Sequence, residues 1–188
     1  MKKWVKVCLN LFSLAAVAPL AAAAGFGRFV GVFQFGGQLC SLFPGLPGDY
    51  LRVAYYRLTL KRCSLESRVS FGSFFAHPDA IVGSRVYIGA YCVLGRCSIG
   101  DRTQIASHVQ VLSGRHQHLR DPSGEIGSAA EGEFISIDIG ADCWIGASSI
   151  IMDSVGSGTT IGSGAVVVRA IEPRVVAVGN PARVIRQQ

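Results

Sequence analysis

From residue 82 onward, aliphatic positions recur at a step of six, and most carry a glycine directly after them. Val82-Gly83, Ile88-Gly89, Leu94-Gly95 and Ile99-Gly100 open the series, and Ile105-Ala106 and Val111 continue it. It resumes at Ile139-Gly140, Ile145-Gly146, Val155-Gly156 and Ile161-Gly162. A compact residue stands four places after most rungs: Val86, Cys92, Ser98, Thr103, Val109, Cys143, Ser149, Thr159 and Ala165. A period of six fits neither an amphipathic helix nor an alternating strand. It predicts a hexapeptide-repeat parallel β-helix, a triangular prism in which each hexapeptide gives one short strand and one corner. The aliphatic residue points inward, the compact residue fills the corner beside it, and the glycine suits a tight turn. Steps of five (Leu94 to Ile99) and four (Ile151 to Val155) read as the ends of coils.

Val111 and Ile139 stand 28 residues apart, one regular step plus 22 further residues. This predicts a loop over 114–136 thrown out from a coil. Long excursions from a rigid repeat are commonly functional. His116 and His118 lie at its root, and histidine is the side chain suited to proton transfer near neutral pH. In an extended segment the two point to the same side, so either is a candidate base. A competing reading places a metal among His108, His116 and His118, but the spacing lacks a clear zinc pattern. No nucleophile elbow is present. His77, beside Pro78, reads as structural or exposed, and His108 as outward-facing. Arg85, Tyr87, Tyr91, Arg96 and Arg102 also take outward positions, as solvated face, partner contacts or substrate contacts.

The N-terminal third differs. Three lysines within Met1–Lys6 precede an apolar run over 7–26, and a second run follows over 29–46. Composition predicts helices here, and four readings stand. They are a membrane hairpin, two helices lying in the interface, a cleaved signal, and a helical layer or trimer contact against the prism. Between Asp49 and Lys61, Tyr50, Tyr55 and Tyr56 alternate with Arg52 and Arg57, which suits a membrane surface. The division expected is a membrane-associating region over 1–62 and a repeat domain over 63–188. The mean hydropathy of +0.38 comes largely from the first sixty residues. The net charge of +6 is dispersed, without aromatics interleaved in a basic face, so no nucleic-acid partner is expected. Six cysteines without a CxxC pair read as reduced thiols, which favours the cytosol.

The ladder, the histidine-bearing loop and Asp142-Cys143-Trp144-Ile145-Gly146-Ala147 together resemble the hexapeptide-repeat acyltransferases. The runs Gly162-Ser163-Gly164-Ala165-Val166-Val167 and Val178-Gly179-Asn180-Pro181-Ala182-Arg183-Val184-Ile185 strengthen the resemblance. It covers roughly residues 69–186. It is closest to the branch of galactoside and maltose O-acetyltransferases and the acetyltransferases of capsule and exopolysaccharide synthesis. The resemblance implies an all-β, left-handed parallel β-helix that assembles as a homotrimer, with acetyl-CoA between neighbouring prisms and no metal. It implies His116 as general base, with His118 the alternative. It places Trp144 beside the reaction and the Ala147 N–H on the thioester carbonyl oxygen. Ser163 and Val168 would hold the pantetheine arm through their backbone, and Arg169, Arg183 and Arg186 would lie near the CoA phosphates. The galactoside branch carries an Asn and an Asp in its sugar pocket, and the stretch from Val86 to Leu94 has neither, so the galactoside itself does not carry over. The expectation is an O-acetyltransferase acting on a sugar hydroxyl of a surface or lipid-linked glycan, at the cytoplasmic face of the inner membrane. The alternatives are serine or other small-molecule O-acetylation, a γ-carbonic-anhydrase-like hydratase, and a non-enzymatic scaffold.

Overall fold

The computed structural model describes residues 3–113, 120–127 and 134–187. Three helices come first, α1 (Lys3–Ala23), α2 (Val30–Ser41) and α3 (Gly45–Thr59). A prism of short parallel strands follows, as the period of six predicts.

Its first face stacks Arg62–Cys63, Ile81–Val82, Cys97–Ile99 and Ile137–Ile139, and the bridges of Val155 and Ile171 extend it. The second face stacks Arg68–Val69, Tyr87–Ile88, Gln104–Ile105, Trp144–Ile145, Thr160–Ile161 and Val175–Val178. An antiparallel strand, Arg183–Gln187, closes that face. The third face stacks Phe74–Phe75, Val93–Leu94, Gln110–Val111, Ile150–Ile151 and Val166–Val167.

Every rung points inward. Ile88, Leu94, Ile105, Ile145 and Ile161 are fully buried and line the same continuous core. The step of six holds around the corners from first to second and from second to third face. All irregular steps fall at the corner from third back to first: seven from Phe75 to Val82, five from Leu94 to Ile99, four from Ile151 to Val155 and four from Val167 to Ile171. The long gap leaves from that same corner. The short steps are therefore coil ends, as expected. At one of them the inward place shifts by a residue, so Cys97 is buried where Ser98 was expected.

The ladder's glycines have a cause the sequence did not disclose. The tight turn lies two residues further on, where Arg85, Tyr91, Arg102, His108, Asp142, Ser148 and Arg174 adopt positive φ. The glycine itself is required because the next coil passes so close. A Cβ on Gly89 would lie 2.5 Å from the Ser107 backbone nitrogen. Polar compact residues staple coils together: Thr103 Oγ1 donates to the Gly140 carbonyl at 2.7 Å and accepts from the Cys143 N–H at 3.1 Å.

The helices close one end of the prism. Phe33, Tyr55, Tyr56 and Phe75 form one aromatic cluster, with Tyr56 and Phe75 centroids 4.9 Å apart. The stretch from Asp49 to Thr59 corrects most of the surface reading given to it: it is helical, and Arg52, Tyr55 and Tyr56 are buried, while Arg57 stays exposed. Arg52 is fully buried; its Nε donates to the Val69 carbonyl at 2.7 Å, and Asp49 accepts from its Nη2 at 2.6 Å. Arg68 of the first coils reaches the same carboxylate at 2.7 Å. A guanidinium can be buried here because carbonyls at the end of α2 and on the prism accept its donors. In contrast, α1 packs only one stripe, Ser13, Val17 and Ala21, and leaves Trp4, Leu11 and Phe12 exposed. It is the one helix among the described residues that is long and apolar enough to cross a membrane by length and composition.

Candidate active site

The excursion expected over 114–136 leaves the prism at Ser113 and rejoins it at Ile137. His116 and His118 lie outside the described residues. Both roots are held by Arg96, which occupies the same corner one coil earlier. Its backbone N–H donates to Ser113 Oγ at 2.8 Å and its carbonyl accepts from the Ile137 N–H at 3.0 Å. Its Nη1 donates to the Phe134 carbonyl at 3.1 Å, and the His77 ring lies 5.3 Å from that of Phe134. Asp79 pairs with Arg96 at 3.3 Å. Burial and the positive charge of Arg96 push the His77 pKa down, against the opposing pull of Asp79. Sequence reasoning grouped Arg96 with the outward residues. Its place within the short step from Leu94 to Ile99 was the available signal for its clamping role.

The second-to-third corner carries another set. Ala147 and Ser163 stand on successive coils, and the Gly164 N–H donates to the Ala147 carbonyl at 2.8 Å. Their own N–H groups, and that of Ser107 one coil earlier, have no partner among the described residues. At some equivalent positions a side chain of the next coil takes this N–H, as where the Ala141 N–H donates to Ser157 Oγ at 3.2 Å. The corner therefore presents a row of free backbone donors spaced by about one coil, near 4.8 Å. Such donors suit carbonyl oxygens, or an oxyanion developing on a thioester carbonyl. Trp144, on the adjoining face, is 61% exposed, unusually open for an indole.

The same corner runs on through an aromatic column. His108 is exposed and stacks on Tyr91 at 5.2 Å, and Tyr91 meets Phe71 edge-on at 5.6 Å. Spacing marked Tyr91 and His108 only as outward; the coil stacking aligns them. Val168 and exposed Arg169 instead sit on the third-to-first corner, while Arg183 and Arg186 are exposed on the closing strand. Thus one prism unites Trp144, Ala147 and Ser163, but holds the loop roots and Arg169 at a different corner. At the first-to-second corner Arg102 grips Asp142 with two hydrogen bonds, which lower the Asp142 pKa. Among the described residues no group of three His, Cys, Asp or Glu side chains is placed to hold a metal.

No family model matches the chain. A chloramphenicol acetyltransferase of Agrobacterium fabrum is 43% identical over 55% of this chain and 52% of its own length. The galactoside O-acetyltransferase of Escherichia coli K12 is 39% identical over 48% of this chain and 43% of its own. The chain thus spans about half the length of these curated relatives. Among solved structures, a maltose O-acetyltransferase of Clostridium difficile 630 superposes with a TM-score of 0.69 at 24% identity, covering 85% of this chain and 88% of that one. An N-acyltransferase of Bacillus cereus, bound to coenzyme A, gives 0.55 at 22% identity over 65% and 70%. The fold is the left-handed β-helix of these enzymes, and the resemblance to hexapeptide-repeat acyltransferases stands.

Proposed function

We propose that the chain is an acetyl-CoA-dependent O-acetyltransferase acting on a sugar hydroxyl of a surface polysaccharide or lipid-linked glycan. The observation that carries this is the row of free amides at Ser107, Ala147 and Ser163 beside exposed Trp144. A pantetheine arm has amide carbonyls to offer such a row, and the thioester carbonyl falls at its end. The acetyltransferase relatives and the coenzyme A held by the neighbour of like fold support the donor. A galactoside-acting relative supports a sugar acceptor.

The chemistry is direct transfer. His116, or His118 in its place, takes the proton from the acceptor hydroxyl as its oxygen attacks the thioester carbonyl. The Ala147 N–H stabilises the oxyanion, a contribution of about 3 kcal/mol for a well-placed donor. Collapse expels the CoA thiolate, which receives the proton back from the imidazolium. Val168, Arg169, Arg183 and Arg186 are assigned to the CoA arm and phosphates.

The site is completed between copies. The loop leaves one corner and the donor row lines another, so a loop histidine reaches the row most directly on a neighbouring prism. This supports a homotrimer. The exposed apolar face of α1, whose other face is committed to the protein, supports a helix lying in the membrane interface. Free thiols throughout are compatible with the cytoplasmic side. The test is release of free CoA from acetyl-CoA across a panel of sugars and glycolipids, with serine and chloramphenicol included. Release that depends on a sugar is expected; release with none, or only with the small non-sugar acceptors, overturns the reading.

A further inference from the structure

A cavity of about 450 Å³ opens where the helical cap meets the prism, above the corner from which the loop departs. Its walls are Phe26, Arg28, Lys61, His77, Asp79 and Arg96. Three of these are permanent cations and one is an anion, and that anion is already engaged by Arg96. Arg28 and Lys61 are exposed and form no ion pair among the described residues. The floor is coupled to the loop, since Arg96 bonds the Phe134 carbonyl and His77 packs on the Phe134 ring.

The mouth of this basic cavity is apolar. Phe26 and Phe29 are each 61% exposed, and Val30 is 45% exposed. Phe26 holds a positive φ of 52°, flanked by Gly25 and Gly27, which are also left-handed. A bulky residue rarely adopts this conformation. Gly27 cannot be replaced cheaply, because a Cβ there would collide with the Thr59 carbonyl oxygen. The turn is therefore pressed onto the end of α3 with its aromatic ring directed outward. From there the apolar surface continues along α2 through Phe35 and Leu39.

We propose that this cavity receives the phosphate of a lipid-borne acceptor, with the lipid chain lying along the apolar face of the α1–α2 cap. This deepens the glycan reading above and rests on it for the word acceptor. Two unpaired cations match a phosphate monoester or diphosphate, and the adjoining aromatics match a chain that stays in the interface. The cavity and the loop share a corner, so a headgroup held by Arg28 and Lys61 would present its sugar toward the loop.

The test uses the full chain and flotation with three vesicle types: phosphatidylcholine alone, or with a minor fraction of hexadecyl phosphate or of palmitic acid. The expected result is binding to phosphate-bearing vesicles about tenfold tighter than to either other type. The double variant Arg28→Gln/Lys61→Gln should lose this preference yet still bind neutral vesicles. The control Arg85→Gln/Arg174→Gln, which removes two exposed prism cations, should keep it. Equal losses in both double variants, or equal binding to palmitate vesicles, overturn the proposal in favour of diffuse charge attraction. Abolition of the preference by low millimolar inorganic phosphate overturns it in favour of a free-phosphate site. None of these readouts uses catalysis, so CoA release with soluble sugars remains an independent measure of the activity.

Discussion

Arg96 holds the returning limb of the loop: its Nη1 donates to the Phe134 carbonyl at 3.1 Å, while its own backbone binds Ser113 and Ile137. The residue is thus a clamp on both roots of the segment that carries the candidate base. Replacing Arg96 by Ala removes the side-chain half of the clamp and leaves the backbone half. Turnover is expected to fall roughly ten- to a hundredfold, as loosened positioning does. Acetyl-CoA affinity should stay within about twofold, since the donor row is at another corner. Calorimetry with CoA and steady-state kinetics separate the two effects, and a loss confined to CoA affinity would refute the clamp.

His116→Ala is expected to lower turnover at least about a hundredfold, the usual worth of general-base catalysis. Trimer formation, read by light scattering, should be unchanged. Near-normal turnover would move the role to His118, which the paired variant His118→Ala then tests.

Gly146→Ala places a methyl against the backbone nitrogen of Ser163 on the next coil. The backbone cannot yield as a flexible side chain would, so the two coils must part at the corner that presents Ala147 and Ser163. A loss of about 1–3 kcal/mol in stability is expected, together with weaker CoA binding. A matching change at Gly31, which has no neighbouring atom, should do neither. Urea denaturation and calorimetry on both variants provide the comparison.

The His77 imidazole should titrate below its ordinary value of about 6.5, because burial and then Arg96 disfavour its charge while Asp79 favours it. Arg28 and Lys61, which line the same cavity, add no negative charge. A depressed folded pKa means that the unfolded chain binds the proton more readily. This group's contribution to stability is therefore full above the unfolded value and is lost as pH falls through it toward the folded one. Asp79→Asn should depress the NMR midpoint further and Arg96→Gln should raise it. A midpoint at or above that of a free histidine would contradict the arrangement.

The sequence by itself determined the prism. Each coil repeats a local rule, aliphatic in and glycine next, so Val82 to Ile161 could be placed on rungs without any distant contact. Even the coil ends were legible, because only departures from six break the rule. The loop between Val111 and Ile139 was legible for the same reason. Tertiary structure decided what spacing cannot express. Which corners coincide is one such matter: Ala147, Ser163 and His108 share a corner, and Arg96 and the loop roots share another, because the coils stack in register.

The helical cap was the least readable part. In α1 and α2 nearly every side is apolar, so composition predicts helices but selects no buried face. Arg52 shows the reverse difficulty. A charge marks a surface by default, and only the fold gathers the carbonyls of Cys40, Ser41, Phe43 and Val69 and the Asp49 carboxylate around it. Burial of a polar group depends on partners far away in the chain, and those partners exist only once the chain is folded.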